Sequence, residues 1–381
     1  MTVVPPARAS LTPTLPGHAY TDPRIFAEEQ RRIFSREWMY VVRADELAGP
    51  GSAVRRQVGP DNVLIVRDRT GAVRAYLNVC RHRGARLCLS DAAEFGNAIR
   101  CPYHAWTYGL DGRLITAPNW KAMADVDRDQ YGLVPVAVAQ WAGLIWVNLA
   151  DGPAPLEAQV GDQLAYRFGG RAERIDRWAI DELVLGARKT YRVAANWKII
   201  QENFQECYHC GTIHPELVAA IPTFASFDEL GDGEYHADGY GFAEGLDAFS
   251  ITGRSRFPTL PGLRAEDERK YFGMVLRPNC FVSLLPDHVI VHRFEPVSEQ
   301  VTVVECDWLF DPEVARAPGF SPADTVEIFH RINEQDFAAS EWCQPNMSSR
   351  AYRNGGVLVP IEAEIIDGWY YDWYRGLMGE V

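Results

Sequence analysis

The sequence predicts an α+β protein in two parts: a small antiparallel β domain, then a larger domain in which an antiparallel sheet is flanked by helices. Two observations carry this. From Met39 to Asp151, short runs rich in β-branched residues, VLIVRD, VRAYLNV, AVAQW and LIWVNL, are separated by Gly, Asp and Pro turns such as Asp111-Gly112. Beyond Asp151, strand-like runs (TYRVAANWKI, FVSLLP, VIVHRFEP, VTVVECDWLF) mix with one long helix-like run, ADTVEIFHRINEQDFAASEWCQ from Ala323.

Residues 1–38 are expected to be a tail and a helix packed on the larger domain. Residues 1–20, rich in Pro, Ala and Thr, predict a mobile segment. IFAEEQRRIFSREW then repeats Ile25, Phe26, Ile33, Phe34 and Trp38 at helical spacing and predicts one amphipathic helix. Residues 39–151 form the β domain, DGPAPLEAQV from Asp151 reads as a connector, and residues 152–381 make up the second domain. No repeat of 20–50 residues interrupts this order.

The chain has 381 residues, 47% hydrophobic and 23% charged, enough to bury a large core. Its net charge of −13 gives no electrostatic reason to bind nucleic acid or an anionic membrane. The apolar runs are far shorter than the roughly 20 residues that cross a bilayer. The start, MTVVPPARASLTPTLPGHAY, has no basic-then-apolar secretory pattern, so a cytoplasmic location is expected. In that compartment eight sparse cysteines predict thiols or metal ligands rather than a disulfide framework.

NVCRHRGARLC and CPYHAWTYGLDG supply two C-x-H and C-x-x-H pairs, Cys80 with His82 and Cys101 with His104. Tetrahedral zinc is open to such a set, although zinc fingers space their ligands as C-x₂₋₄-C and H-x₃₋₅-H. One sulfur and one nitrogen from each turn suits a [2Fe–2S] centre in which two His replace two Cys on one iron. C-x-H-R-G followed by C-P-Y-H-x-W resembles the Rieske cluster motif of non-haem iron oxygenases. The resemblance implies that Cys80 and Cys101 hold one iron and His82 and His104 the other, with Gly84, Pro102, Tyr103 and Trp106 shaping the loops. Cys88 reads as a buried thiol outside the ligand set.

NWKIIQENFQECYHCGTIHPEL places Glu202, Glu206, His209 and His214 close together. On a straight helix His209 and His214 would lie about 140° apart, so convergence on one metal needs a break, for which Gly211 and Pro215 are suited. Two His and a carboxylate form the facial triad of Fe(II) oxygenases. The order E-N-x-x-E-C-Y-H-C-x-x-x-H-P resembles the mononuclear-iron segment of Rieske oxygenase α subunits. In that family the carboxylate comes late, in a helix reading N-E-x-D, which here points to Asp336, with Glu334 and Glu341 as competitors. Glu206 and Asn203 of the same motif are implied as catalytic-site residues. C-x-x-C at Cys207 and Cys210 could signal redox or zinc chemistry, but no thioredoxin-like βαβ unit surrounds it. The glycines of GDGEYHADGYGFAEG, from Gly231, predict a mobile loop closing a pocket.

The resemblance, over about residues 20–375, implies a helix-grip-like catalytic domain, a [2Fe–2S] Rieske cluster and mononuclear Fe(II). It also implies O₂ and two external electrons spent on hydroxylating a C–H bond. No flavin or nucleotide motif is present, so a separate NAD(P)H-dependent flavin and iron–sulfur reductase, or a ferredoxin, is the expected donor. The usual family bridge is Asp three residues before the first His. Glu206 in its place is similar to the branch acting on carnitine, glycine betaine, choline and stachydrine, which implies N-demethylation or hydroxylation of a quaternary ammonium compound. Hydroxylation of an aromatic acid is the alternative. The bridge implies electrons crossing between subunits of a head-to-tail ring, most simply a homotrimer. From another class, a zinc-ribbon regulator with a ligand-binding domain is opposed by the lack of a basic stripe.

Overall fold

The computed structural model describes residues 11–123, 125–225, 237–254 and 256–379. Two large antiparallel sheets dominate. The first runs in the order Met39–Arg43, Leu144–Asn148, Pro135–Trp141, Val73–Leu77, Asp61–Arg67, Ser52–Val58, Ala92–Glu94. A three-stranded sheet, Ala98–Arg100, Thr107–Gly109 and Leu114–Thr116, projects from it. The second large sheet runs Val184–Val193, Val301–Phe310, Val289–Ser298, Cys280–Leu284, Lys270–Leu276, Tyr240–Gly241. The fold is therefore the α+β arrangement the sequence predicts. Among the described residues no helix is long and apolar enough to cross a membrane.

The two sheets share a core. Tyr40, Leu144 and Trp146 of the first meet Phe272, Met274, Val282 and Val291 of the second, all buried. Alternation explains this: in Lys270–Leu276, Phe272 and Met274 face the first sheet, while Tyr271 lies in the core on the opposite side. That second side is covered by the long helix Ala323–Cys343, whose Val326, Ile328, Phe329 and Ile332 join it.

Helices depart from the sequence reading in instructive ways. Helix α1 covers Pro23–Arg32, started by the Asp22 side chain and by Pro23 in its first turn. It stops before Ile33 and Phe34 because both turn into the core, where Phe34 meets Trp197 edge-on at 5.1 Å. The predicted connector from Asp151 becomes helix α2, Leu156–Arg167, after Pro155, burying Leu156, Val160 and Leu164 along one face. The strand-like run TYRVAANWKI is divided, with the strand ending at Val193 and helix α3, Trp197–Asn203, opened by the Asn196 side chain. Residues 11–20, expected to be mobile, are instead held. Thr12–Pro13 pairs with Val357–Leu358, and Leu15, Ala19 and Tyr20 are buried.

Helix α1 beside them is tied down by a buried polar cluster. Glu29 of α1 accepts from Lys198 Nζ at 2.5 Å, from Trp197 Nε1 at 2.8 Å and from the Tyr374 hydroxyl at 2.7 Å. Both members of the ion pair are wholly inaccessible to water. Such a pair has little net worth against apolar replacements, but breaking it strands a charge in the core. Lys198→Met is expected to lose about 3–5 kcal/mol of stability and Glu29→Gln/Lys198→Met to recover most of it. Urea denaturation of the three proteins measures this, and a double variant no better than the single would contradict it.

Candidate metal centres

The first candidate centre stands on two loops built alike. In one, the Cys80 N–H donates to Ala85 O and the Gly84 N–H to Cys80 O; in the other, the Cys101 N–H donates to Trp106 O and the Ala105 N–H to Cys101 O. Four residues after each cysteine the chain enters the left-handed region, Gly84 at φ +74° and Ala105 at φ +55°. The second is strained for an L-residue and is held there by the loop's own hydrogen bonds. Each loop thus turns its cysteine inward and its histidine outward.

Cys80 and Cys101 are buried and their thiols touch. Burial pushes the Cys80 thiol up, and the Tyr108 hydroxyl lies 3.2 Å from its sulfur. His82 is exposed, half-covered His104 has its ring centroid 4.6 Å away, and Trp106 stacks on His82 at 5.1 Å. Buried sulfurs on one side and two neighbouring imidazoles on the other match the donor set of a cluster with unlike irons. Cys88 stays apart, donating to Ser90 O at 3.2 Å.

The second centre depends on a broken helix. After α3 the chain turns through residues 204–209, makes one turn, Cys210–Ile213, and breaks at His214 before Pro215–Ala220. Pro215 forces that break, and the histidines, which a straight helix would splay, converge. Their partner is Asp336, on the inward face of helix Ala323–Cys343. Asp336 Oδ1 lies 2.8 Å from His214 Nε2 and 3.2 Å from His209 Nε2.

The remaining ring nitrogens are tied back. His209 Nδ1 donates to Glu206 Oε1 at 2.6 Å and His214 Nδ1 to Gln335 Oε1 at 2.7 Å. Both Nε2 atoms are thereby directed to one point, the orientation that metal-binding histidines require. The Tyr208 and His209 backbone N–H groups donate to Glu206 Oε2, and Asn203 Nδ2 lies 3.4 Å from His209 Nδ1. Burial opposes charge on His209, yet its bonds to Asp336 and Glu206 raise it to about 10. Burial likewise opposes the Asp336 carboxylate, and the two histidines hold it below its ordinary value.

The competing carboxylates lie elsewhere. Glu334 is exposed beside His330, and Glu341 accepts from the Ala194 N–H. Cys210 Sγ lies 3.8 Å from His209 Nε2 and could serve as a third donor with the two histidines. Contact with Cys207, then burial, raises its thiol far above the ordinary value, so hard, charged Asp336 is the better partner for Fe(II). Glu202 points away from the centre, accepting from the Tyr20 hydroxyl. Gln335 was visible only as the x of N-E-x-D, and nothing in the sequence marks it as a histidine's partner. The part of the glycine-rich segment at 231–236 lies outside the described residues.

A Rieske [2Fe–2S] domain profile matches residues 37–135, and the catalytic domain of ring-hydroxylating α subunits matches residues 180–380. The chain belongs to the Rieske oxygenase α-subunit family. Its relatives include the glycine betaine monooxygenase oxygenase subunit of Chromohalobacter salexigens, 30% identical over 96% of this chain and 86% of that protein. The carnitine monooxygenase oxygenase subunit of Escherichia coli K12 is 31% identical over 91% and 87%. A crystallised quaternary ammonium Rieske monooxygenase superposes with a TM-score of 0.75 at 27% identity, over 97% of this chain and 96% of that one. The oxygenase is an O₂-dependent oxidoreductase with a [2Fe–2S] cluster and a mononuclear iron, supplied by a separate reductase.

Two outcomes follow from this geometry. Gln335→Leu is expected to weaken mononuclear iron binding about 10–100-fold, and Glu334→Gln to leave it unchanged, measured by competition with a chelator. The second concerns Glu202, which burial raises from 4.5 to about 7. Between those values the folded chain binds more protons than the unfolded one, so this carboxyl makes stability fall as pH rises through the window. Glu202→Gln is expected to flatten that slope and to exceed the wild-type denaturation midpoint at pH 8.

Proposed function

We propose that the oxygenase hydroxylates an N-methyl group of a quaternary ammonium compound, working in the cytoplasm as a closed homotrimer fed by an NAD(P)H-dependent flavin and iron–sulfur reductase. In this reading residues 39–151 are the cluster domain and residues 152–381 the catalytic domain. Cys80 and Cys101 hold one cluster iron, His82 and His104 the other; His209, His214 and Asp336 hold the mononuclear iron. When bound, the two groups supply electron storage and O₂ activation.

The observation that carries the substrate class is the wall beside His209. Cys210 shares a buried cluster with Phe224, Tyr240, Phe249 and Tyr271. Phe224 and Tyr240 lie 4.5 Å apart between ring centroids, and Phe249 stacks on Tyr271 at 5.9 Å. Aromatic faces attract a cation without forming a bond to it, which suits an ammonium with no N–H to donate. The glycine betaine and carnitine relatives support the same class. Naphthalene dioxygenase, at 20% identity, shares the fold alone.

The chain's residues then have defined tasks. The aromatic wall holds the ammonium and keeps water out. Asp336 brings a negative charge that offsets metal charge, while Glu206 and Gln335 fix the ring planes of His209 and His214. The reaction takes O₂, two electrons and two protons, converts one N–CH₃ to N–CH₂OH and releases water. The carbinolamine then falls apart to formaldehyde and the demethylated amine. Glu206 is only 13% exposed on its side chain, with half-exposed Tyr208 beside it. In this reading Glu206 accepts a hydrogen bond from His104 of a neighbouring copy and so links two rings across a subunit boundary.

Formaldehyde release, dependent on O₂ and on a methylated ammonium compound, is the expected result with the purified oxygenase and reductase; ring hydroxylation of a benzoate without formaldehyde would overturn it. Glu206→Gln is expected to keep both metals and the trimer while slowing cluster reoxidation at least tenfold. Stopped-flow mixing of the reduced protein with substrate and O₂ reads that rate, and a wild-type rate, or an active monomer by sedimentation, would remove the bridge.

A further inference from the structure

We propose that Arg167 anchors a carboxylate at the far end of the substrate, so that the oxygenase takes zwitterionic betaines in preference to ammonium alcohols. This rests on the quaternary-ammonium reading above and adds the chemistry of the substrate's other end.

Arg167 closes helix α2 and is 8% exposed. Its Nε donates to Gly273 O at 2.6 Å, but Nη1 and Nη2 are buried and make no hydrogen bond among the described residues. Other buried arginines of this chain have an acid beside them: Arg43 pairs with Asp45, Arg174 with Asp267 and Arg293 with Glu295. Among the described residues, the groups that act most on the Arg167 charge are Tyr240, Tyr271, Cys207 and Tyr166, and none of the four is a carboxylate. A guanidinium stays charged at any working pH, and a buried cation with two free N–H edges is strongly destabilising unless an anion completes it. Two parallel N–H donors in a plane fit the two oxygens of a carboxylate.

The position fits a ligand rather than a structural partner. The guanidinium lies over the Tyr240 ring at 5.7 Å, against the aromatic wall that Tyr240 and Tyr271 share with Cys210. Cys210 in turn reaches His209. A cation at the Arg167 end repels an ammonium, so a zwitterion is forced into one direction. Its carboxylate meets Arg167 and its N-methyl groups face His209, His214 and Asp336.

The test uses the intact oxygenase with reductase and compares glycine betaine with choline, which has a hydroxyl where the betaine has a carboxylate. Arg167→Gln is expected to raise KM for glycine betaine about 10–100-fold with little change for choline, and Arg167→Lys to restore part of the difference. A purely structural role, confined to the bond with Gly273, would shift both substrates alike, and that result overturns the proposal. Butyrate, a carboxylate without an ammonium, separates this inference from the function above. If no ammonium compound is oxidised, that function fails. Calorimetric butyrate binding by wild type that is lost in Arg167→Gln still upholds the anchor, and equal binding by both proteins defeats it.

Discussion

The catalytic half of this protein is organised around keeping one buried carboxylate charged. Asp336 is 6% exposed, and a lone carboxylate there would take up a proton. Two imidazoles aimed at a single oxygen prevent this, and they reach it only because the chain breaks between His214 and Pro215. Their outer nitrogens must then be satisfied as well, which Glu206 and Gln335 do. A divalent ion entering this site would exchange one set of charge partners for another without rebuilding the surroundings.

One helix carries much of the arrangement. Along Ala323–Cys343 the buried positions Phe329, Ile332, Asn333, Asp336, Phe337 and Ser340 follow helical spacing, so Asp336 lies in an otherwise structural stripe. Asn333, one turn earlier, lies 3.1 Å from His292 Nε2, and burial holds His292 down at about 4, neutral among phenylalanines. The same helix thus supplies a charged group and a neutral polar pair three residues apart. Burial against the sheet fixes both.

Much of this was legible in the sequence, and the misses have physical causes. The Cys80–His82 and Cys101–His104 loops and the pair His209 and His214 are local patterns, and side chains within a few residues are placed by backbone geometry. Strand runs such as VLIVRD and VTVVECDWLF are legible because alternation is short-ranged, whereas TYRVAANWKI passes from strand into helix within one run. Helix ends are not legible: α1 stops where Phe34 meets Trp197, a contact more than 160 residues away in sequence. Gln335 and Arg167 were invisible as functional groups for the same reason, since Gln335 matters only through His214 and Arg167 only through what it lacks. Residues 11–20 looked too rich in proline to be ordered, yet the partners that order them come from the other end of the chain.

That last feature bears on how the protein is made. Thr12–Pro13 waits for Val357–Leu358, Tyr20 for Tyr371, and Glu29 for both Lys198 and Tyr374. Apart from Lys198, these partners are synthesised about 340–350 positions later, so residues 12–29 emerge with apolar and acidic groups that nothing yet covers. The cluster loops, by contrast, close within residues 80–106 and can form early. The cluster loops are therefore local, whereas residues 12–29 are covered only once residues 357–374 have been made.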